Sequence, residues 1–465
     1  MPNISQDEKS RISDEFYQSL FTHALHLVTE ARNEFRGCKD KAGLISSVLR
    51  SRQPDAGLEP VATGVLLQLL DREGEAEGND DLRALVLGEA RRVRGDLYGN
   101  DVAMMVPIEI SSYCASNCTF CGWRSDNKDM VRLKISEKAL NEQLQYLAGY
   151  NFSHFELVAG DDLVFIKNEL TDVVRSVKAQ LKERNPEARV SICLTPLHEI
   201  HYQTLKAEGL DTVLTWQETY NPELYKKLIT SGPKAHGMTH DFKVAREDGC
   251  TVRMKSHELA VRANLQVGLG VMVGLEEDHP DADILAAILH GAKLIEHYPD
   301  TMQPIIIGMP TWNPITTART DNAKFHRTRI NPERDFELVA AIYFLGLPNR
   351  YAWVFPNCRV SKATQINAIK TAGCFTSGMV RVGPGAYLDY SNKEDASKCF
   401  SKCSEPLDTL TKERILNGEQ FTHHFDTQEN YVMRFKEAGL NVVLETKYLS
   451  ELAATREKRL KKKAA

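Results

Sequence analysis

The hydrophobic pattern changes character near residue 105. From residue 8 to about residue 100, apolar positions recur at helical spacing, as in Phe16-Tyr-Gln-Ser-Leu-Phe-Thr-His-Ala-Leu-His-Leu-Val28 and Leu82-Arg-Ala-Leu-Val-Leu-Gly-Glu-Ala90. Such spacing gathers the apolar side chains on one face of a helix. A stretch rich in Gly, Glu and Asp, 74–81, separates two of these helices. Beyond residue 105, short apolar runs alternate with longer amphipathic stretches, the pattern of βα units on a parallel sheet. Eight runs read as strands: 106–111, 155–159, 190–194, 212–217, 267–273, 304–308, 351–355 and 375–382. Stretches able to form helices lie between them, such as 137–147, 170–183 and 335–345. Eight such units predict an α/β fold of the (β/α)8 TIM-barrel type; a doubly wound open sheet is the alternative. The chain divides into an N-terminal helical extension (1–100), the barrel (101–390) and a polar, helical C-terminal tail (391–465).

Composition narrows the classes. The chain has 465 residues, 42% of them hydrophobic and 26% charged, with a net charge of −5. That balance gives no electrostatic footprint for nucleic acid. No run approaches the roughly 18 apolar residues of a membrane span, and the polar start Met1-Pro-Asn-Ile-Ser-Gln-Asp-Glu8 does not read as a signal peptide. The ten cysteines therefore point to reduced thiols and metal chemistry in a cytoplasmic setting. The basic end, Arg456-Glu-Lys-Arg-Leu-Lys-Lys-Lys463, reads as a solvated terminus.

Cys114, Cys118 and Cys121 form a C-x3-C-x2-C run after the first predicted strand. A cubane iron–sulfur cluster normally takes four cysteines, so three leave one iron open to a small molecule. A zinc site is the alternative, but zinc ligands usually come as a second nearby pair, and none is present.

The stretch Val106-Pro-Ile-Glu-Ile-Ser-Ser-Tyr-Cys114 through Cys121-Gly-Trp-Arg124 resembles the signature loop of radical S-adenosylmethionine (SAM) enzymes. The resemblance implies a 4Fe–4S cluster on the three cysteines, with SAM on the open iron and Phe120 near the adenine. It implies cleavage of SAM to a 5′-deoxyadenosyl radical that takes hydrogen from a substrate. A low-potential donor of the flavodoxin or ferredoxin type would supply the electron. Val158-Ala-Gly-Asp-Asp162 resembles the family's Gly-Gly-Glu motif, so Gly160 and Asp161 would meet the SAM ammonium. Asp161 is shorter than the usual Glu, and an ordinary Gly-Asp turn is the other reading. Gly270-Val-Met-Val-Gly274 resembles the glycine-bearing strand that lines the adenine; glycines there also serve close packing alone.

Gln217-Glu-Thr-Tyr220, Tyr225 and Gly232-Pro-Lys-Ala235 resemble a block of one subgroup, the tyrosine and tryptophan lyases (2-iminoacetate synthase, the hydrogenase-cofactor tyrosine lyase and 3-methyl-2-indolic acid synthase). By that resemblance Glu218 contacts the SAM ammonium and Arg253 its carboxylate, although a surface-helix arginine is an equal reading. Arg359 and Thr376 would hold the carboxylate of an amino-acid-like substrate, with Ser377 beside Thr376. Gly383-Pro-Gly-Ala-Tyr387 resembles the closing segment of these lyases.

Three departures stand out. Glu109 replaces the tyrosine that the lyases carry five residues before the first cysteine. An inward carboxylate calls for a cation or an amine, so the substrate moves towards a basic or amine-bearing molecule, unless Glu109 is paired structurally. Residues 236–250 appear as an insertion, read as a lid loop; His236, His240 and Cys250 match no standard metal spacing. Cys399 and Cys403 lack the third partner of a second cluster, and Cys358 and Cys374 are the other thiols within that half. The expected activity is hydrogen abstraction from a small amino-acid-like substrate, then C–C cleavage or rearrangement in biosynthesis of a cofactor or natural product. Biotin-synthase-like methyl or sulfur transfer is the alternative, and an iron–sulfur or zinc scaffold the non-enzyme reading.

Overall fold

The computed structural model describes residues 11–71, 79–150, 152, 154–313, 332–378, 380–381, 383–388, 398–406, 420, 427–443, 449–456 and 458. The first eight residues, most of the 74–81 break and the end of the basic terminus, all used above, lie outside the described residues. Helices α1 (Asp14–Gly37), α2 (Lys41–Ser51), α3 (Pro60–Leu67) and α4 (Asp80–Tyr98) come first. Ser13 caps α1 by accepting the Phe16 N–H. The helix then buries Tyr17, Leu20, Ala24, Val28, Ala31 and Phe35, a stripe at helical spacing.

Strand β1 (Asp101–Ser111) is followed by β2 (Leu133–Ile135), α5 (Glu137–Leu147) and β3 (His154–Ala159). Next come α6 (Leu163–Asn168), α7 (Leu170–Arg184), β4 (Arg189–Cys193), α8 (Glu199–Ala207) and β5 (Thr212–Leu214). Two short helices, α9 (Pro222–Leu228) and α10 (Pro233–His236), lead to α11 (Gly249–Arg262) and β6 (Gln266–Leu269). The alternation continues through α12 (Pro280–His297), β7 (Ile305–Gly308), α13 (Pro332–Gly346), β8 (Ala352–Phe355), α14 (Lys362–Thr371) and β9 (Phe375–Ser377).

The fold is mixed α/β with a sheet of mainly parallel strands, in the order β2-β1-β3-β4-β5-β6-β7-β8. Strand β9 pairs in parallel with β1, Ala103 opposite Phe375, and Val354 bridges Gly373 just before β9. Strands such as β3 and β6 are buried along their whole length, as expected where helices cover a parallel sheet.

Each predicted strand has a counterpart, but several end early. The run 212–217 is strand only to Leu214, and 267–273 only to Leu269. Beyond them Glu218 (φ +69°) and Gly270 (φ +149°) take conformations no strand holds. The C-terminal part differs from a purely helical tail. It contributes β10 (Phe400–Cys403), antiparallel to β2, then α15 (Gln428–Glu437), and β11 (Asn441–Val443), parallel to the start of β1. Its polar texture hid these strands, because they pair along edges rather than burying an alternating face.

Two buried carboxylates tie the N-terminal helices to the helices that follow in the chain. Arg83 of α4 meets Asp335 of α13 at 2.7 Å, with both side chains nearly inaccessible. Glu258 of α11 accepts from Tyr17 at 2.9 Å and from the Ile12 N–H at 2.8 Å, tying down α1. No helix among the described residues is long and apolar enough to cross a membrane.

Candidate active site

The cysteine loop leaves the C-terminal end of β1, where the chemistry of βα-barrels sits. Its shape is imposed by neighbouring segments. Gly160, just after β3, lets the loop pass: a Cβ there would lie 2.3 Å from the Tyr113 carbonyl and 2.9 Å from Cys114 Cβ. The Ala115 N–H donates to the Asp161 carbonyl, and the Asp161 N–H donates to Cys114 Sγ at 3.3 Å. On the other side the loop lies on the α9–α10 block. Thr119 N–H donates to Leu228 O, Asn117 N–H to Ser231 O, and Cys118 bridges Ile229. Gly232 (φ +85°) permits this approach, since a Cβ would meet Ala115 O at 2.4 Å. Arg132 donates to the Ser112, Trp123 and Arg124 carbonyls at 2.7 Å each and to Asn127 O at 3.2 Å. No sequence signal singled out Arg132; a lone arginine in a loop looks like surface.

Burial pushes the Cys114 thiol up to about 12, and raises Cys118 and Cys121 as well, the neighbouring thiols adding to the effect on Cys114 and Cys118. Buried thiols of this kind ionise only beside cations. Lys234, from α10, is the cation that opposes the rise at all three. The donor set fits an iron–sulfur cluster, whose irons would supply the remaining positive charge. Among the described residues no three His, Cys, Asp or Glu side chains converge on a single-ion site.

A cavity of about 130 Å³ opens beside the loop. Strand alternation decides what faces it. Pro107 and Glu109 of β1, Glu156 and Val158 of β3, and Cys193 of β4 all line it. Glu109, Val158 and Cys193 are register partners, so they form one inward layer at the C-terminal edge. Phe120, Cys121, Trp216, Glu218, Lys234, Arg253, Met272 and Arg359 complete much of the wall.

Glu218 is 6% exposed and sits at φ +69°, a backbone state that costs a non-glycine residue about 1–3 kcal/mol. Its carbonyl accepts from the Met272 N–H, and its carboxylate meets Arg253 Nη2 at 3.5 Å. Arg253 lies on α11 but is 3% exposed, so it is no surface-helix arginine. Its Nε donates to the Trp216 carbonyl at 2.6 Å, while its Nη1 is buried with no partner. Asp161 is 1% exposed and its Oδ2 is also without a partner. A buried donor and a buried acceptor without partners are costly unless a ligand completes them, and of the two Arg253 lines the cavity. An α-amino acid moiety, one carboxylate and one ammonium, has the matching charges.

Glu109 is buried and accepts a hydrogen bond from the Gly383 N–H, so the closing Gly383–Tyr387 segment docks on it. The Arg359 backbone is fixed by Asn357, which accepts its N–H at 3.0 Å, and by Asn313, which donates to its carbonyl at 2.8 Å. Burial lowers the Arg359 guanidinium, and Glu218 works against this. Burial pushes the Glu156 carboxyl up to about 7, although the adjoining Cys193 and the charge of Arg359 oppose the rise.

The expectation for Thr376 needs correction. Its hydroxyl donates to Pro356 O at 2.6 Å and accepts from Gln365 Nε2 at 3.0 Å, away from the cavity. Ser377 lines the cavity instead, because neighbouring strand residues face opposite ways. Gly270 serves close packing, its Cβ position lying 1.9 Å from Gly308 O, and Gly274 takes φ +88°. Met272 between them faces the cavity. His236 and His240 are exposed, whereas Cys250 is buried against Gln217 Nε2. Cys399 is buried, and Cys403 Sγ accepts from the Glu405 N–H at 3.5 Å.

No protein-family model matches the chain. It is 27% identical over 242 residues to 2-iminoacetate synthase of Escherichia coli, covering 52% of this chain and 54% of that protein. It is 31% identical over 201 residues to 3-methylornithine synthase of Methanosarcina acetivorans, covering 39% and 55% respectively. The chain spans about half the length of the curated relatives it matches. The fold resembles that of the FeFe-hydrogenase maturase HydG of Carboxydothermus hydrogenoformans, with a TM-score of 0.69 at 19% identity over 91% of this chain and 84% of that one. In its three-cysteine loop the chain thus resembles radical SAM enzymes; it is similar in sequence to 2-iminoacetate synthase and 3-methylornithine synthase, and in fold to the hydrogenase maturase HydG.

Proposed function

We propose that this protein is a radical SAM enzyme acting on a small amino-acid-like substrate. The observation that carries the reading is the unpaired Arg253 Nη1 in a cavity that also bears Cys121. Pairing of β9 with β1, and the bridge from Val354 to Gly373, support closure of the sheet into a (β/α)8 barrel around this cavity. Residues 1–100 would clamp one side of it and 391–465 would form an appended tail.

Cys114, Cys118 and Cys121 would hold a 4Fe–4S cluster. Bound there with SAM, the cluster would supply a 5′-deoxyadenosyl radical able to abstract hydrogen from carbon. The protein's part is placement and exclusion of water. Arg253 would grip the SAM carboxylate through its fork, Asp161 and Glu218 would receive the ammonium, and Phe120 and Met272 would flank the adenine. Gly160, Gly270 and Gly274 give the backbone room for these contacts. Arg359 would take the substrate carboxylate, assisted by Ser377 rather than Thr376. Glu109, held by the Gly383 N–H, would face the far end of the substrate and favour a side chain with an amine. A relative named for 3-methylornithine, an amino acid with a second amine, is in keeping with this. C–C cleavage or rearrangement in a biosynthetic pathway would follow, with a flavodoxin- or ferredoxin-type donor in a reducing cytoplasm.

Anaerobic reconstitution tests the reading. The wild type is expected to bind about four irons per chain and to release 5′-deoxyadenosine from SAM under a strong reductant. Both are expected to disappear in Cys118→Ala. One bound zinc with no SAM cleavage would sink the reading.

A further inference from the structure

We propose that Glu156 determines which substrate this site accepts, by pairing the side-chain ammonium of a diamino acid at the floor of the cavity. The assignment rests on the radical reading above and deepens it, naming the substrate class and the residue that selects it. Glu156 and Val158 of β3 both line the cavity, so this face of the strand points inward. Val158 belongs to the layer at the C-terminal edge, with Glu109 and Cys193. Glu156 stands two residues earlier, about 7 Å deeper along the strand. Its register partners are Pro107, which also lines the cavity, and Ser191, whose buried hydroxyl has no hydrogen-bond partner. Arg359 follows the C-terminal end of β8, at the mouth.

Pairing the charges around the wall leaves Glu156 over. Among the described residues the cavity is lined by three carboxylates, Glu109, Glu156 and Glu218, and three cations, Lys234, Arg253 and Arg359. Glu218 meets Arg253, Glu109 accepts the Gly383 N–H, and Lys234 acts on the loop thiols. With Arg359 given to the substrate carboxylate, Glu156 keeps no counter-charge of its own. Among the described residues no side chain makes a hydrogen bond or ion pair with its carboxylate, although the residue is only 8% exposed. A buried carboxylate in that state is costly until a cation reaches it. Trp216 and Phe355 line the cavity as well and stack, with ring centroids 6.3 Å apart and planes 10° from parallel. That apolar wall suits a short methylene chain. An uncharged side chain would leave Glu156 buried and unpaired, which selects against it.

Calorimetric titration of the reconstituted, SAM-loaded enzyme tests the assignment. The probes are chain-matched pairs, L-lysine against L-norleucine and L-ornithine against L-norvaline. In at least one pair the diamino acid is expected to bind about hundredfold more tightly, the effect of one buried charge pair. Glu156→Gln keeps the shape but removes the charge, and is expected to bring the two members of that pair to within about threefold of each other. The wild-type comparison decides by itself if the variant fails to fold. Equal binding or none within both pairs, or tighter binding of L-tyrosine than of either diamino acid, would overturn the assignment while leaving SAM cleavage standing. So would a preference that survives in Glu156→Gln, or a loss shared alike by both members of a pair, which marks a structural role. A loaded cluster that yields no 5′-deoxyadenosine would instead overturn the radical reading, and this assignment with it.

Discussion

At the scale of single residues, the cavity collects groups whose burial is costly without a ligand. Glu156 shows the cost most directly. Burial carries its carboxyl from 4.5 to about 7, so between those values the folded chain binds the proton more tightly than the unfolded one. Stability therefore falls as pH rises through that window and levels off above it. The shift corresponds to about 3 kcal/mol. In urea unfolding of the metal-free chain, Glu156→Gln is expected to gain about that much relative to wild type between pH 5 and pH 8; a gap independent of pH would assign the effect elsewhere. Cys114 and Glu218 could be picked out in the sequence because they stand in recognisable motifs, whereas Arg253 had an equal reading as a surface-helix arginine. Glu156, Cys193 and Arg132 could not, since each reads locally as an ordinary strand or loop residue, and Lys234 stood in a quoted motif without a role. The exchange of Thr376 for Ser377 has the same origin: a shift of one position on a strand turns the side chain to the other face.

At the scale of elements, the cysteine loop is a passenger of its neighbours. It is bounded by Gly160 after β3 and by the α9–α10 block, whose backbone supplies hydrogen bonds to Asn117 and Thr119. Gly160→Ala would place a methyl 2.3 Å from the Tyr113 carbonyl, and backbone on that side cannot yield cheaply. The variant is expected to fold but to lose most of its reconstituted iron, measured per chain beside an unchanged far-ultraviolet circular dichroism spectrum. Full iron loading would show that the loop can move aside. Two motifs distant in sequence, C-x3-C-x2-C and the segment Gln217–Ala235, thus prove to be one structural unit. The resemblance gave each its expected chemistry, but the sequence did not show their contact. Helix 137–147 emerged with the expected bounds because Ser136 caps it and its apolar stripe is regular. The strands lost their last residues because the turns that build the site begin there.

At the scale of the whole molecule, the helical N-terminal region is part of the sheet's support. Asp335 accepts from Arg83 and from the Asp71 N–H in a site closed to solvent. Removing the carboxylate in Asp335→Ala leaves a buried guanidinium without its counter-charge, an effect of about 3–5 kcal/mol. A lowered urea midpoint is expected; an unchanged midpoint would show that α4 is not held by this pair. The sequence by itself determined the alternation of strands and helices, the three thiols and the inward carboxylate at Glu109, because periodicity and motif spacing are local properties of the chain. Only the tertiary structure decided that Arg253 is buried rather than on the surface, that the C-terminal residues add strands, and that Cys193 and Glu156 share a wall with Arg359. Those facts depend on which strands become neighbours and in what register, and non-local pairing leaves no mark in any single stretch of sequence.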